Sequence, residues 1–279
     1  KANPNENFAR EFFELFTIGK GLQIGPGDYT NYTEDDIRNA ARAFTGWSFK
    51  PATGKFFFRE NVHDTGLKTF RGKTGNFKGE DILRYLVDDR KTARFITAKL
   101  FDYFVQTGGK SPEIVEELSH KFYDSGYDIR KLMYDIFSSD WFYEDKFQGN
   151  RIKSPVELIA SIMTQTGGRF DNPDTGVFLQ RALSQVLFFP PNVGGWPTGT
   201  GWIDSSSLTF RMSLPALLLK NADTTVDAKD DGDVNNATNA ANTRKLSFRP
   251  DWQMLTERFT KQNTGETVEA LEDHLLAAP

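Results

Sequence analysis

The chain has 279 residues, a formal charge of −4 and no cysteine, which excludes disulfides, thiolate catalysis and Cys-ligated metal centres. A pI near 5.5 supplies no basic field for general nucleic-acid binding, and no apolar run approaches the ~18 residues of a membrane span. Aromatics reach 14%, with 25 Phe, so rings fill a core large enough for one sizeable domain or two smaller ones.

Lys1-Ala-Asn-Pro-Asn5 leads into a helix with neither Met nor a leader pattern, as expected of a fragment of a longer protein. Over the first helix, Phe8, Phe12, Leu15 and Phe16 fall on one apolar stripe at ~100° per residue. Asn7, Glu11 and Glu14 form a polar stripe beside it. Glu6 and Arg10 are spaced to pair at i, i+4. Gly19 and Gly21 stop the helix, and Thr33 opens a second one with Asp36 completing a capping box. Ile37, Ala40, Ala41 and Phe44 make its buried face, while Arg38 and Arg42 lie one turn apart, placed to meet the carboxylates of the first helix.

Aromatic runs from Trp47 and up to Arg59 flank the turn Pro51-Ala-Thr-Gly54, a β-hairpin over about 47–60. The loop after it holds His63, Asp64, Lys68 and Arg71. In extended backbone His63 and Asp64 point to opposite faces, so a two-residue chelate is disfavoured. Gly66 to Thr74 falls short of a phosphate-binding loop: five residues separate Gly66 from Gly72 where that motif needs four.

Helical periodicity then dominates, over 80–87, 92–106, 112–123 and 128–137. Ser154-Pro155-Val-Glu157 opens a further helix with a cap, an N1 proline and an N3 glutamate. A helix over 177–188 precedes the Pro/Gly/Trp loop 189–202, whose Asn192, Trp196 and Trp202 either wall a cleft or plug the helices beneath. Residues 208–220 are helical, with Pro215 expected to kink or restart the helix. A polar acidic linker follows at 221–243. Inside it, Asp227, Asp231 and Asp233 are spaced like ligands of a calcium loop, but Lys229 and Thr238 occupy two ligand positions. Two short helices end the chain. The fold expected is mainly α: a multi-helix, bundle-like domain over 1–220, with a small hairpin and long Gly/Pro/Trp loops, and C-terminal helices at 244–279 packing back on it.

The stretches NENFAREFFELFTIGKG, YTEDDIRNAARAFTGW, HDTGLKTFRGKTG, KSPVELIAS and FPPNVGGWPTGTGWI, in this order, resemble the bacterial domain-of-unknown-function family 1800. The resemblance covers Asn5 to about Lys220. It implies a mostly helical, exported protein of the periplasm or another extracytoplasmic space, often encoded beside members of domain-of-unknown-function family 1501. It also implies a preceding segment with a Phe-Trp-His-x-His-Phe-like motif, and an aliphatic residue where Arg71 stands. It carries no established activity or cofactor.

Two functional readings follow. In the first, the chain is a binding or assembly module: Asn7, Arg10, Glu14 and Trp47 belong to polar or aromatic clusters, and Asn192, Trp196 and Trp202 meet a glycan or a partner protein. In the second, it is a hydrolase-like enzyme with Glu11 or Asp64 as general acid/base, His63 as base or metal ligand beside Asp64, and Arg42 or Arg10 stabilising negative charge. No nucleophile elbow, HExxH or dinucleotide fingerprint fixes a reaction class.

Overall fold

The computed structural model describes residues 3–108, 111–221, 223–224, 244–259 and 263–275. They are mainly helical, with only two-stranded antiparallel sheets among them. The chain divides into two compact units, one of residues 1–104 with 109–142 and one of residues 105–108 with 143–279. The single body expected over 1–220 therefore spans both units, and the C-terminal helices belong to the second.

The first unit opens on α1 (Glu6–Glu11), capped by the Asn5 side chain, and continues as a π-helix over Phe12–Phe16. This widened turn corrects the apolar stripe. The fully buried residues are Ala9 and Phe13, whereas Phe8 is 41% and Phe16 57% exposed. A π-helix spaces its hydrogen bonds at i→i+5, so a stripe counted at 3.6 residues per turn drifts off the core. Thr17 closes the turn by donating from Oγ1 to the Phe12 carbonyl.

Against this segment lies α2 (Glu34–Phe44), where both hydrogen bonds of the Thr33/Asp36 capping box are present. Its Ile37, Ala40, Ala41 and Phe44 are buried as expected. Strands β1 (Gln23–Gly25) and β2 (Asp28–Tyr29) form a short antiparallel pair before α2, and the predicted hairpin is β3 (Trp47–Phe49) on β4 (Phe56–Phe58). A second hairpin, β5 (Lys68–Phe70) on β6 (Lys73–Gly75), turns through Arg71 and Gly72, both at positive φ. Arg71 is held there by its amide donating to Asp36 and by its guanidinium pairing with Asp89 at 2.6 Å. Helices α3 (Gly79–Val87), α4 (Arg90–Phe104), α5 (Pro112–Asp124) and α6 (Ile129–Phe137) complete the unit.

The second unit is built on α7 (Pro155–Thr166), with its full capping box, α8 (Pro173–Ala182) and α9 (Ser205–Leu219). Pro215 interrupts nothing: α9 runs through it. Strand Arg169–Phe170 pairs with Phe248–Arg249, which draws Leu246 and Phe248 into a core with Ile159, Phe178, Leu179 and Leu214. Helices Trp252–Phe259 and Thr264–Leu275 follow.

Gly168 sits under this core. A Cβ there would lie 2.1 Å from the Phe248 ring, which is fully buried and has nowhere to move. Gly168→Ala is therefore expected to cost about 1–3 kcal/mol by overpacking, read as a lower denaturation midpoint.

Candidate functional site

The polar residues of the first unit form two clusters. The first lies between α1 and the segment before α2. Arg10 donates to Glu34 at 2.8 Å, not to Glu6. Tyr32, 2% exposed, donates its hydroxyl to Glu14, and Lys20 stands 3.8 Å from the same carboxylate. Burial, followed by the bond to Glu14, raises the Tyr32 pKa above its ordinary value, so the phenol stays a donor. Glu11 accepts from exposed Asn7 at 2.9 Å, and not from Arg10 or Arg42.

The second cluster joins α2 to the loop before β5. Arg42 grips Asp64 through two bonds, Nε to Oδ2 at 2.8 Å and Nη2 to Oδ1 at 3.2 Å. Its remaining nitrogen donates to Asn39 Oδ1 and to the Leu67 carbonyl. The Gly66 amide donates to Asp64 Oδ1 at 2.8 Å. These bonds, the Arg42 pair first, hold the Asp64 carboxyl down at about 2. Thr45 Oγ1 accepts from the Asp64 amide at 2.8 Å while donating to the Arg42 carbonyl, which staples the end of α2 to the loop. Lys68, 1% exposed, donates to the carbonyls of Asp64 and Gly66. Burial holds its pKa below the usual lysine range.

His63 lies beside this cluster with a different task. Its Nδ1 is 2.8 Å from the Thr45 carbonyl. A carbonyl only accepts, so Nδ1 carries the proton, and in the neutral ring Nε2 is a bare lone pair. That atom is buried with no hydrogen-bond partner among the described residues, as is Trp47 Nε1. The Trp47 ring packs edge-on against Phe44 and Phe56, at 5.1 and 5.5 Å.

Of the residues nominated from sequence, Arg42, Asp64 and His63 thus come together. Glu11 does not join their hydrogen bonds. No third His, Cys, Asp or Glu placed to hold a metal joins His63 and Asp64 among the described residues, and Arg42 and the Gly66 amide bond both Asp64 oxygens. The calcium-spaced Asp227, Asp231 and Asp233 lie outside the described residues. In the second unit Trp202 is buried at 7%, Trp196 is half-buried and Asn192 exposed. Asn192 folds its own turn, accepting from the amides of Gly194 and Gly195. Sequence reading missed Tyr32, Glu34, Thr45 and Lys68. A lysine heading a strand, between Leu67 and Thr69, gives no local sign that its ammonium will be buried under loop carbonyls.

These features define a mainly α-helical protein of two units, in which the two polar clusters of the first unit join helices to loops. The chain belongs to the family described as "Protein of unknown function (DUF1800)", whose model matches residues 1–279. No curated protein and no solved structure matches it. No described helix is long and apolar enough to cross a membrane.

Proposed function

We propose that the chain is a binding or assembly module, and that the loop after α8 meets its partner. The observation that carries this reading is Phe188, which is 95% exposed and held at φ 65°, a conformation uncommon for a bulky residue. Leu187, Phe189 and Val193 beside it are 45–59% exposed, and no charged residue lies between Arg181 and Asp204. An uncharged apolar ridge suits a neutral apolar surface on a protein partner. Family resemblance nominates a co-encoded protein of domain-of-unknown-function family 1501, and an extracytoplasmic location for the encounter. Phenylalanine has no polar handle for a sugar, which leaves half-buried Trp196 as the ring for the glycan variant of this reading.

The double variant Phe188→Ala, Phe189→Ala is expected to melt like the parent and to bind the purified co-encoded protein at least about tenfold more weakly, as loss of two central apolar anchors does. Unchanged binding in a titration would sink the assignment. Binding to a glycan alone, abolished by Trp196→Ala, would move the site to Trp196.

The hydrolase-like alternative rests on His63, whose bare Nε2 is a base without a present task. Its partners in that scheme, Asp64 and Arg42, are bonded to each other and to the loop. Turnover of a chromogenic ester by the parent, lost in His63→Gln, would favour it.

A further inference from the structure

The hairpin β3–β4 carries a second surface, in the first unit, which does not rest on the reading just given. Its register sets Phe49 opposite Phe56, and both rings are largely exposed, at 64% and 58%. The next pair toward the turn is Lys50 and Lys55, joined by the Lys50 amide donating to the Lys55 carbonyl at 2.9 Å. The hairpin, residues 47–58, holds Lys50 and Lys55, both exposed, and no acid, in a chain whose net charge is −4.

Three further observations narrow what such a tip can meet. Its backbone is largely closed on itself: the amides of Thr53 and Gly54 both donate to the Lys50 carbonyl, that of Lys55 donates to Thr53 Oγ1, and Pro51 has no N–H, which leaves Ala52 as the turn amide open to water or a headgroup. A turn with most of its amides satisfied leaves water at lower cost than an open one. The tip also stands free: nothing lies within 4 Å of where a Cβ on Gly54 would be, and Pro51 and Ala52 are exposed. Its base is anchored, since Trp47 packs on Phe44, a buried core residue.

We propose that this tip is a peripheral anchor for an anionic phospholipid surface. Phe49 and Phe56 enter the boundary between headgroups and acyl chains. Lys50 and Lys55, on the opposite face of the hairpin at its end, extend their stems along the apolar layer and keep their ammonium groups among the phosphates. Arg59, at the far end of β4, is followed by exposed Glu60 and adds no net charge, so the attraction rests on Lys50 and Lys55. A single-stranded nucleic acid also takes rings and cations, but it needs a charged groove tracking its backbone, and the cations here crowd one protruding turn.

Sedimentation with vesicles tests this. The parent is expected to partition onto phosphatidylcholine vesicles containing phosphatidylglycerol, weakly onto phosphatidylcholine alone, and less as salt rises. Lys50→Ala with Lys55→Ala should weaken partitioning by about 30-fold, following ~1 kcal/mol for each cation near an anionic surface. Phe49→Ala with Phe56→Ala should weaken it by about tenfold or more. The lysine pair should leave the melting temperature unmoved, because both side chains are exposed; the phenylalanine pair, which also removes the edge contact of Phe56 on Trp47, should lower it slightly while unfolding stays cooperative. Absence of partitioning by the parent overturns the proposal. So does partitioning that both double variants leave intact, or preference for a single-stranded oligonucleotide over anionic vesicles at the same salt.

Discussion

Replacing Phe13 by alanine is expected to destabilise the first unit by about 3–5 kcal/mol, the range for emptying an aromatic site in a packed core. The Phe13 side chain is fully buried and sits 5.8 Å from the Tyr32 ring and 5.6 Å from the Phe70 ring. It therefore bridges the π-helical turn, the segment that opens α2, and β5. Truncation leaves a ring-sized void among elements that cannot collapse together, because each is pinned by its own polar bonds: Thr17 to the Phe12 carbonyl, Tyr32 to Glu14, and the Arg71 amide to Asp36. Phe16→Ala, three residues on and 57% exposed, is expected to cost below about 1 kcal/mol. Chemical denaturation of the two variants side by side reads the difference. Equal losses would mean that residues 12–16 continue as an ordinary α-helix and bury the stripe that a 3.6-residue period predicts.

That contrast also marks where the sequence was legible. Elements announced by local chemistry were read correctly: the Thr33/Asp36 and Ser154/Glu157 capping boxes, the buried face of α2, and the Pro51–Gly54 hairpin turn all depend on residues within seven positions of one another. The π-helical turn depends on tertiary packing and left the first helix's apolar face misassigned. The same limit applies to the candidate site. Arg42 and Asp64 could be nominated individually, but their pairing spans 22 positions, and nothing local says that Arg42 will choose Asp64 over the carboxylates of α1. Arg10 likewise takes Glu34, not its helical neighbour Glu6. Trp196 and Trp202 look alike in sequence, and only folding separates a half-buried ring from one at 7% exposure.

Asp64→Asn is expected to lower stability by about 1–2 kcal/mol at neutral pH, with the loss shrinking steadily below pH 4. The carboxyl lies near 2 in the folded chain, against an ordinary 3.8. Because the folded value is the lower one, the unfolded chain binds the proton more readily, and the stabilisation is fully present above the ordinary value and disappears as pH falls through about 2. The magnitude is discounted because about a third of each side chain is exposed, 31% for Arg42 and 33% for Asp64, where solvent screens the pair. Asparagine keeps the shape but offers one acceptor oxygen where the carboxylate serves Arg42 and Gly66 with two. Lys68 works in a separate window: its depressed pKa makes charged Lys68 a cost of folding, relieved only as alkaline pH removes the proton. Acid titration therefore isolates Asp64. Urea midpoints of parent and variant at pH 7, 4 and 2.5 should converge on the acid side. A gap of constant size would show that the Gly66 amide and the loop geometry, which do not titrate, hold this junction without help from the Asp64 charge.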